Sequence, residues 1–233
     1  MEIFYTEIAD TNDIHFVDAI QIYTESFPSN ERQPLSVLKR RITEGRSKLY
    51  AGLHRNEIVC IAFLYHFNIS DFAFLDYMAV IEKFRNHKIG SGFFSFLLEK
   101  VVSVKKYLLL EVENPLFGNN IEQRKKRINF YIRNGAYLLK DTPYLLPALD
   151  NTTPTEMDLM IAPRYKTDYL DKTEIEIIFK LLYFELYEKT ESDMLLHSII
   201  KRKDPNYKNL GLVRVINKRQ EFLWVHPKFE GEY

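Results

Sequence analysis

A pair of closely spaced glycines marks the stretch of this sequence that is best suited to bind an anion. Gly90 and Gly92 occur in RNHKIGSG, between an apolar, strand-like run and a phenylalanine-rich run. The chain contains only eight glycines, so two of them one residue apart indicate a backbone that must stay uncovered. The first N–H groups of a helix lack intrahelical partners and attract negative charge. The pattern predicts a phosphate cradle at a helix start, with Arg85, His87 and Lys88 adding positive charge.

Two better-known phosphate motifs fit this glycine pair less well. The dinucleotide-binding fingerprint requires a third glycine three residues after Gly92, where the chain has Ser95. A P-loop requires Gly-Lys-Ser or Gly-Lys-Thr at the helix start, and this segment lacks it. From the glycines alone, a third interpretation also stays open, in which Gly90 and Gly92 merely assist a turn into a core helix.

Two carboxylates are candidates for acid–base chemistry near the glycine pair. Asp76 is the one charged residue in the otherwise apolar strand-like run 72–81, and burial there would raise its pKa. The period of two in a strand predicts that Phe74, Asp76 and Met78 share one face. Glu111 lies near the end of the next predicted strand. Each carboxylate could equally be a solvated group at the edge of the sheet.

Hydrophobic periodicity predicts the elements that would position these residues. Residues 72–113 would form a strand–helix–strand unit with two parallel strands, and residues 48–81 an antiparallel meander. The predicted strands are 3–9, 48–55, 57–67, 72–81, 107–113, 136–139 and 157–162, and the predicted helices are 13–27, 35–43, 90–103 and 121–134.

The glycine pair and its flanks resemble motif A of the GNAT superfamily of N-acyltransferases. In that motif a strand ends in Ala-Val, and Gln/Arg-x-x-Gly-x-Gly/Ala opens a helix. The corresponding segments here are FLDYMAV and HKIGSG. His87 stands where Gln or Arg is usual, and Lys88 stands where many members have glycine.

A second segment, RINFYIRNGAYLL, resembles the fourth helix of the same family. Phe130, Tyr131, Gly135 and Ala136 match the positions of its aromatic-Tyr pair and of its Gly and apolar residue. The resemblance covers residues 1–164, and the predicted order of strands and helices is also the order of the family.

The resemblance implies an α/β (α+β) fold, the GNAT acyl-CoA N-acyltransferase fold, with a mixed central sheet of about seven strands flanked by helices. Residues 1–164 would form the GNAT domain. Residues 165–233 would form a C-terminal extension with helices at 172–189 and 193–201, in which 212–216 and 221–225 could pair as a small hairpin. Three roles are open for the extension: packing on the sheet, mediating a homodimer, or shaping the acceptor site.

Residues 142–156 are predicted to form a long loop on the acceptor side. Tyr144, Leu145 and Leu146 would be exposed apolar residues of that loop, which suggests a lid or a partner surface. The alternative is that they pack under the C-terminal extension.

The resemblance further implies an N-acetyltransferase that uses acetyl-CoA and transfers the acetyl group directly to the amine of a small molecule. The pyrophosphate would bind near residues 87–92, and the pantetheine arm would pair with the strand that ends in Met-Ala-Val. In the family, this strand and the next one splay apart. The predicted residues for binding acetyl-CoA are Met78, Ala79, Val80, Arg85, His87, Lys88, Ile89, Gly90, Ser91 and Gly92.

Three residues are predicted to take part in catalysis: Tyr131, Asp76 and Glu111. Tyr131 matches the tyrosine acid of the family, whose phenol would protonate the leaving thiolate. Asp76 and Glu111 would serve as a base or bind the amine, although many family members use a chain of water molecules instead. Two other functions stay open: a regulatory module that binds acyl-CoA with little catalysis, and an N-acetyltransferase for proteins or peptides.

Composition narrows the remaining classes of function. Thirty-two basic residues balance 32 acidic residues, so no nucleic-acid partner is expected. Cys60 is the single cysteine, which fits a reducing compartment. The segment MEIFYTEIAD lacks the features of a signal peptide. The sequence has no uncharged run of about 18 residues, so no membrane span is predicted. The histidines show no metal-ligand spacing. We expect a cytoplasmic enzyme with neither a metal nor a membrane partner.

Overall fold

A mixed sheet forms the centre of the protein. The computed structural model describes residues 1–140, 142, 144–147, 149, 154–163, 165–166, 169–190 and 212–216. The described strands are β1 (Phe4–Ile8), β2 (Ser47–His54), β3 (Glu57–His66), β4 (Phe72–Val80), β5 (Tyr107–Glu113), β6 (Tyr137–Leu139), β7 (Tyr144–Leu146), β8 (Thr155–Ala162), β9 (Tyr169–Asp171) and β10 (Leu212–Ile216).

The order of the strands places β4 and β5 side by side in the sheet. The order is β1-β2-β3-β4-β5-β8-β6-β10-β9, and β7 pairs with β8. The β4–β5 pair is parallel, whereas the other described pairs are antiparallel. The predicted strand–helix–strand unit and the predicted meander are both confirmed.

Helices cover both faces of the sheet. They are α1 (Ile14–Ser26), α2 (Leu35–Thr43), α3 (Ile89–Ser103), α4 (Ile121–Arg133) and α5 (Lys172–Lys180), and α5 continues as a π-helix, Leu181–Leu186. Alternate residues of β3 pack in different clusters, because successive side chains of a strand point to opposite faces. Helices α3 and α4 pack on one face, and α1, α2, α5 and the π-helix pack on the other.

Local sequence explains where two of the helices begin and where a third one ends. Asp13 caps α1, since its carboxylate accepts a hydrogen bond of 2.8 Å from the N–H of His15. Asp171 and Glu174 form a capping box at the start of α5, in which each side chain accepts from the other's N–H. Helix α2 is followed by Gly45, whose φ is +70°, as expected for a residue that ends a helix.

The sheet is larger than the predicted seven strands, because β7, β9 and β10 join it. Strands β7 and β9 have three residues each, too short for an alternating pattern to stand out in the sequence, whereas the predicted strand 212–216 is confirmed as β10. Strand β7 also corrects the prediction of an exposed loop. Tyr144 and Leu146 are buried, and the Tyr144 ring stacks on Phe179 of α5. These residues therefore pack under the extension, as the alternative prediction had it, and the prediction of a lid or a partner surface is wrong.

The described part of the extension belongs to the core. The predicted helix 172–189 is confirmed as α5 and the π-helix, and both pack on the sheet. Strand β10 pairs with β6 and β9, whereas the predicted segments 193–201 and 221–225 lie outside the described residues. None of the described helices has both the length and the apolar composition needed to cross a membrane.

Candidate active site

Strands β4 and β5 separate partway along their length. They pair from Phe72 and Tyr107 up to Leu75 and Leu110. Beyond that point β4 continues to Val80 and β5 to Glu113 without pairing to each other. Beyond Leu75, the side of β4 that faces β5 therefore presents backbone groups that do not pair with another described strand. This is the splay that the family resemblance implied.

A β-bulge in β4 lies where the two strands separate. Leu75 pairs with Leu64 and Tyr77 pairs with Phe63, so Asp76 is an extra residue in β4. A bulge bends its strand and shifts the alternation of side chains by one residue. Phe74 consequently packs in the cluster with α5, whereas Met78 packs in the cluster with α3 and α4. The prediction that Phe74, Asp76 and Met78 share one face is wrong for this reason.

A cavity of about 660 Å³ occupies the cleft between the separated strands. All but two of the residues predicted for the site line it. The predicted residues in its wall are Asp76, Met78, Ala79, Val80, Arg85, Lys88, Ile89, Gly90, Ser91, Glu111 and Tyr131. His87 and Gly92 are not among the lining residues.

The start of α3 forms one end of this cavity. Lys88 is the N-cap of the helix, with a φ of +62°, and no side chain caps the helix. Among the described residues, no group accepts a hydrogen bond from the N–H of Ile89, Gly90 or Ser91. Arg85 adds a guanidinium nearby, and its Nε donates to the Val80 carbonyl oxygen at 3.1 Å. Unpaired N–H groups, a helix dipole and two cations make this end suited to an anion.

The two glycines of the pair have different reasons to be glycine. A Cβ on Gly90 would lie 3.4 Å from the Phe130 ring and 3.7 Å from Val80, in the wall of the cavity. A Cβ on Gly92 would lie 2.9 Å from the Tyr5 hydroxyl, so a side chain there would require Tyr5 of β1 to shift. His87 is exposed, and its Nδ1 lies 2.8 Å from the carbonyl oxygen of Arg85.

Asp76 is buried beside an arginine that sequence reasoning missed. Arg41 Nη1 donates to Asp76 Oδ2 at 3.3 Å, and the two side chains are 2% and 4% exposed. The Arg41 guanidinium also lies over the Tyr65 ring and donates to the carbonyl oxygen of Leu186. Burial raises the pKa of Asp76 to about 6, and the charge of Arg41 opposes that rise. The signal in the sequence was an arginine three residues after Leu38, on the buried side of α2.

Glu111 is the carboxylate best placed to exchange a proton near neutral pH. The Tyr187 hydroxyl lies 2.9 Å from both of its oxygens. Burial raises the pKa of Glu111 to about 8, while the nearby hydroxyls of Tyr144 and Tyr187 lower it and the charge of Asp76 raises it. A base is most effective when its pKa lies near the working pH.

Tyr131 lines the same cavity from α4. Its ring packs against Phe94 and Phe130, with centroids 5.2 Å and 5.1 Å away. Burial raises the pKa of Tyr131 to about 12, while Arg127 lowers it. The phenol therefore keeps its proton at neutral pH and can donate it. Arg127 itself lines the cavity and forms an ion pair with Glu113.

The raised pKa of Glu111 predicts a pH-dependent stability. Its value of about 8 exceeds the 4.5 of a free side chain, so the unfolded chain ionises first as pH rises. Stability should then fall between these two values by up to about 1.4 kcal/mol per pH unit. We expect the melting temperature of Glu111→Gln to fall less over this range than that of the unmodified protein. Burial also raises the pKa of Asp76 and of Asp158 in β8, but both groups are present in the two proteins. Melting temperatures that change in parallel with pH would therefore contradict the assignment.

Among the described residues, no group of three or more His, Cys, Asp or Glu side chains is arranged to hold a metal ion.

Comparison with known proteins identifies the fold. No protein-family model and no curated protein matches the sequence. A solved structure from Bacteroides thetaiotaomicron, assigned to the GNAT family of acetyltransferases, matches with a TM-score of 0.67 and 24% identity, over 80% of this chain and 99% of that chain.

Two further solved structures extend the comparison. Arabidopsis thaliana NAA60 in complex with acetyl-CoA matches with a TM-score of 0.52 and 14% identity, over 69% of this chain and 97% of that one. A spermidine N-acetyltransferase chimera, SpeG from Vibrio cholerae with hSSAT, matches with a TM-score of 0.50 and 10% identity, over 69% and 95%. The chain has the GNAT fold, and the predicted fold class is confirmed.

Proposed function

We propose that this GNAT-fold chain is an N-acetyltransferase that transfers an acetyl group from acetyl-CoA to the amine of a small molecule. One observation carries the proposal. The cavity between β4 and β5 has an anion-binding helix start at one end, and Glu111 and Tyr131 line the same cavity. A donor that carries a pyrophosphate and a reactive thioester needs both features within one cleft.

Acetyl-CoA would use the backbone more than the side chains. The N–H groups of Ile89, Gly90 and Ser91 would bind the pyrophosphate, with Arg85 and Lys88 balancing its charge. The amides of the pantetheine arm would pair with the free edge of β4, in the way that a peptide adds to a sheet edge. The acetyl-CoA complex of the structurally similar Arabidopsis protein supports this choice of donor.

The transfer step would form a C–N bond and break the C–S bond of the thioester. The attacking amine must first lose a proton, which Glu111 can accept because its pKa is raised to about 8. A backbone N–H of β4, near Ala79 or Val80, would stabilise the negative oxygen of the intermediate. Tyr131 would protonate the departing thiolate and regain a proton given up by the nitrogen of the intermediate, which leaves acetylated amine, free CoA and the original phenol.

Glu111 is the group in the cavity that would bind an acceptor with a cationic amine. Asp76 is neutralised by Arg41, so Glu111 is the carboxylate available to a substrate ammonium. Asp76 is buried and Glu111 is half-buried, which suits a small molecule or the end of a flexible chain better than a bulky surface. The spermidine N-acetyltransferase chimera has a small amine as its named substrate.

Two measurements test this proposal. Calorimetry should show binding of acetyl-CoA, and release of free thiol should follow when amines from a panel of small molecules and peptides are added. Turnover that is confined to peptides would favour protein acetylation, and binding without turnover would favour a regulatory module. Absence of any CoA binding would overturn the proposal.

A further inference from the structure

The segment that follows α5 contacts one carboxylate of the cavity directly and is linked to the other through a single side chain. We call residues 181–188, which include the π-helix, the π segment. The hydroxyl of Tyr187 lies 2.9 Å from each oxygen of Glu111. Arg41, which forms the ion pair with Asp76, donates a hydrogen bond to the Leu186 carbonyl oxygen. One segment of the extension therefore contacts Glu111 directly and Asp76 through one intermediate side chain.

Two other contacts hold the π segment against the elements around the cavity. The Tyr65 hydroxyl of β3 donates to the carbonyl oxygen of Glu185 at 3.1 Å, and Arg40 of α2 forms an ion pair with Glu188. Leu186 is fully buried and Tyr187 is nearly so. The position of Tyr187 is thus set by packing and by contacts to α2 and β3, independently of its own bond to Glu111.

We propose that Tyr187 is a positioning residue that holds the carboxylate of Glu111 at the acceptor end of the cavity, so that the C-terminal extension completes the active site. This inference rests on the proposed function. The Tyr187 hydroxyl lies equally far from both oxygens, so its one proton is shared between them and restrains the position of the carboxylate. Such a bond to a charged acceptor is stronger than one between neutral groups, and it favours the ionised form that accepts a proton from the amine.

Among the described residues, the ionisable groups that face Glu111 come from three elements. They are Tyr144 of β7, Tyr187 of the π segment and Asp76 of β4, the last of which is paired with Arg41 of α2. The two hydroxyls lower the pKa of Glu111, and Asp76 raises it. Removal of the Tyr187 hydroxyl should consequently raise the pKa of Glu111 further.

Tyr187→Phe removes only this hydroxyl and tests the proposal. We expect kcat/KM for the amine to fall about tenfold, because a hydrogen bond to a charged group is lost. The acid limb of the kcat/KM profile should also move to higher pH, by about one unit. The KM for acetyl-CoA should stay the same.

Tyr165→Phe is the matched control. It removes a similar bond, from the Tyr165 hydroxyl to Glu174 Oε1 at 2.8 Å, which lies outside the cavity. Its kcat/KM should stay within about twofold of the unmodified protein.

A double-mutant cycle separates positioning from general support of the fold. In a Glu111→Gln background, Tyr187→Phe should cause no further loss of kcat/KM. An equal loss in both backgrounds, or a loss with an unmoved acid limb, would overturn the proposal.

Melting curves give a second readout that does not need turnover. Tyr187→Phe should lower the melting temperature more at about pH 9 than at about pH 5, and this difference should vanish in Glu111→Gln. If the protein acetylates nothing, the proposed function fails, but this coupling would still show whether Tyr187 stabilises the Glu111 carboxylate. A difference that persists in Glu111→Gln would contradict the inference.

Discussion

Gly90→Leu is expected to weaken acetyl-CoA binding by about 100-fold or more, which corresponds to about 2.7 kcal/mol. Gly90 lines the cavity at the start of α3, where the N–H groups for the pyrophosphate are exposed. A Cβ at this position already lies 3.4 Å from the Phe130 ring, so it is in contact without a clash. The rest of a leucine side chain must extend from there into the space that the donor would fill.

The same substitution should leave the fold intact or stabilise it. Leucine has a helix propensity about 1 kcal/mol better than glycine, and Gly90 does not have a positive φ. Isothermal calorimetry with acetyl-CoA and a thermal melt of each variant would check both parts of the prediction. Wild-type affinity in Gly90→Leu would show that the donor does not bind across the start of α3.

Gly90→Ala is the matched control for size. Its methyl group would sit at ordinary contact distance from Phe130 and Val80, without the longer reach of leucine. We expect it to keep most of the affinity for acetyl-CoA. A loss as large as that of leucine would mean that backbone freedom at this position, rather than space in the cavity, is what binding requires.

Tyr131→Phe should lower kcat by about 10²- to 10⁴-fold, the usual contribution of a general acid. The substitution removes the proton that would be given to the CoA thiolate but keeps the ring contacts with Phe94 and Phe130. Binding of acetyl-CoA should therefore stay within about twofold. Steady-state kinetics with a substrate amine, together with calorimetry for the donor, separate these two effects.

Tyr50→Phe serves as the control for Tyr131. Tyr50 is buried in the same cluster of side chains, and burial raises its pKa to about 12 as well, but it does not line the cavity. Its kcat should be close to that of the unmodified protein. If Tyr131→Phe retains most of its kcat while Tyr50→Phe does the same, another group or water protonates the thiolate.

Periodicity and turn signals in the sequence were enough to predict most of the elements. Helix α2 and strand β5 were predicted to the residue, because each has a regular apolar pattern between clear breakers. The parallel pairing of β4 and β5 also followed from the strand–helix–strand order. The glycine pair was identified by its spacing before a helix, and Tyr131 was identified by resemblance, since a short motif keeps its spacing along the chain.

The sequence did not show which side chains would meet in the cavity. The bulge at Asp76 left no trace in an apolar run, because any residue can be the extra one when the partner strand sets the register. The three-residue strand β7 was predicted as a loop, because Tyr144 is buried by α5, a helix that comes later in the chain and that a local pattern does not reveal.

The partners of the two carboxylates were decided by tertiary structure alone. Asp76 meets Arg41 across 35 residues, and Glu111 meets Tyr187 across 76 residues. A local pattern reports which face of an element is buried, but it does not report what lies opposite that face. The pKa of each carboxylate depends on its burial and its partners, and both are fixed only when distant segments pack together.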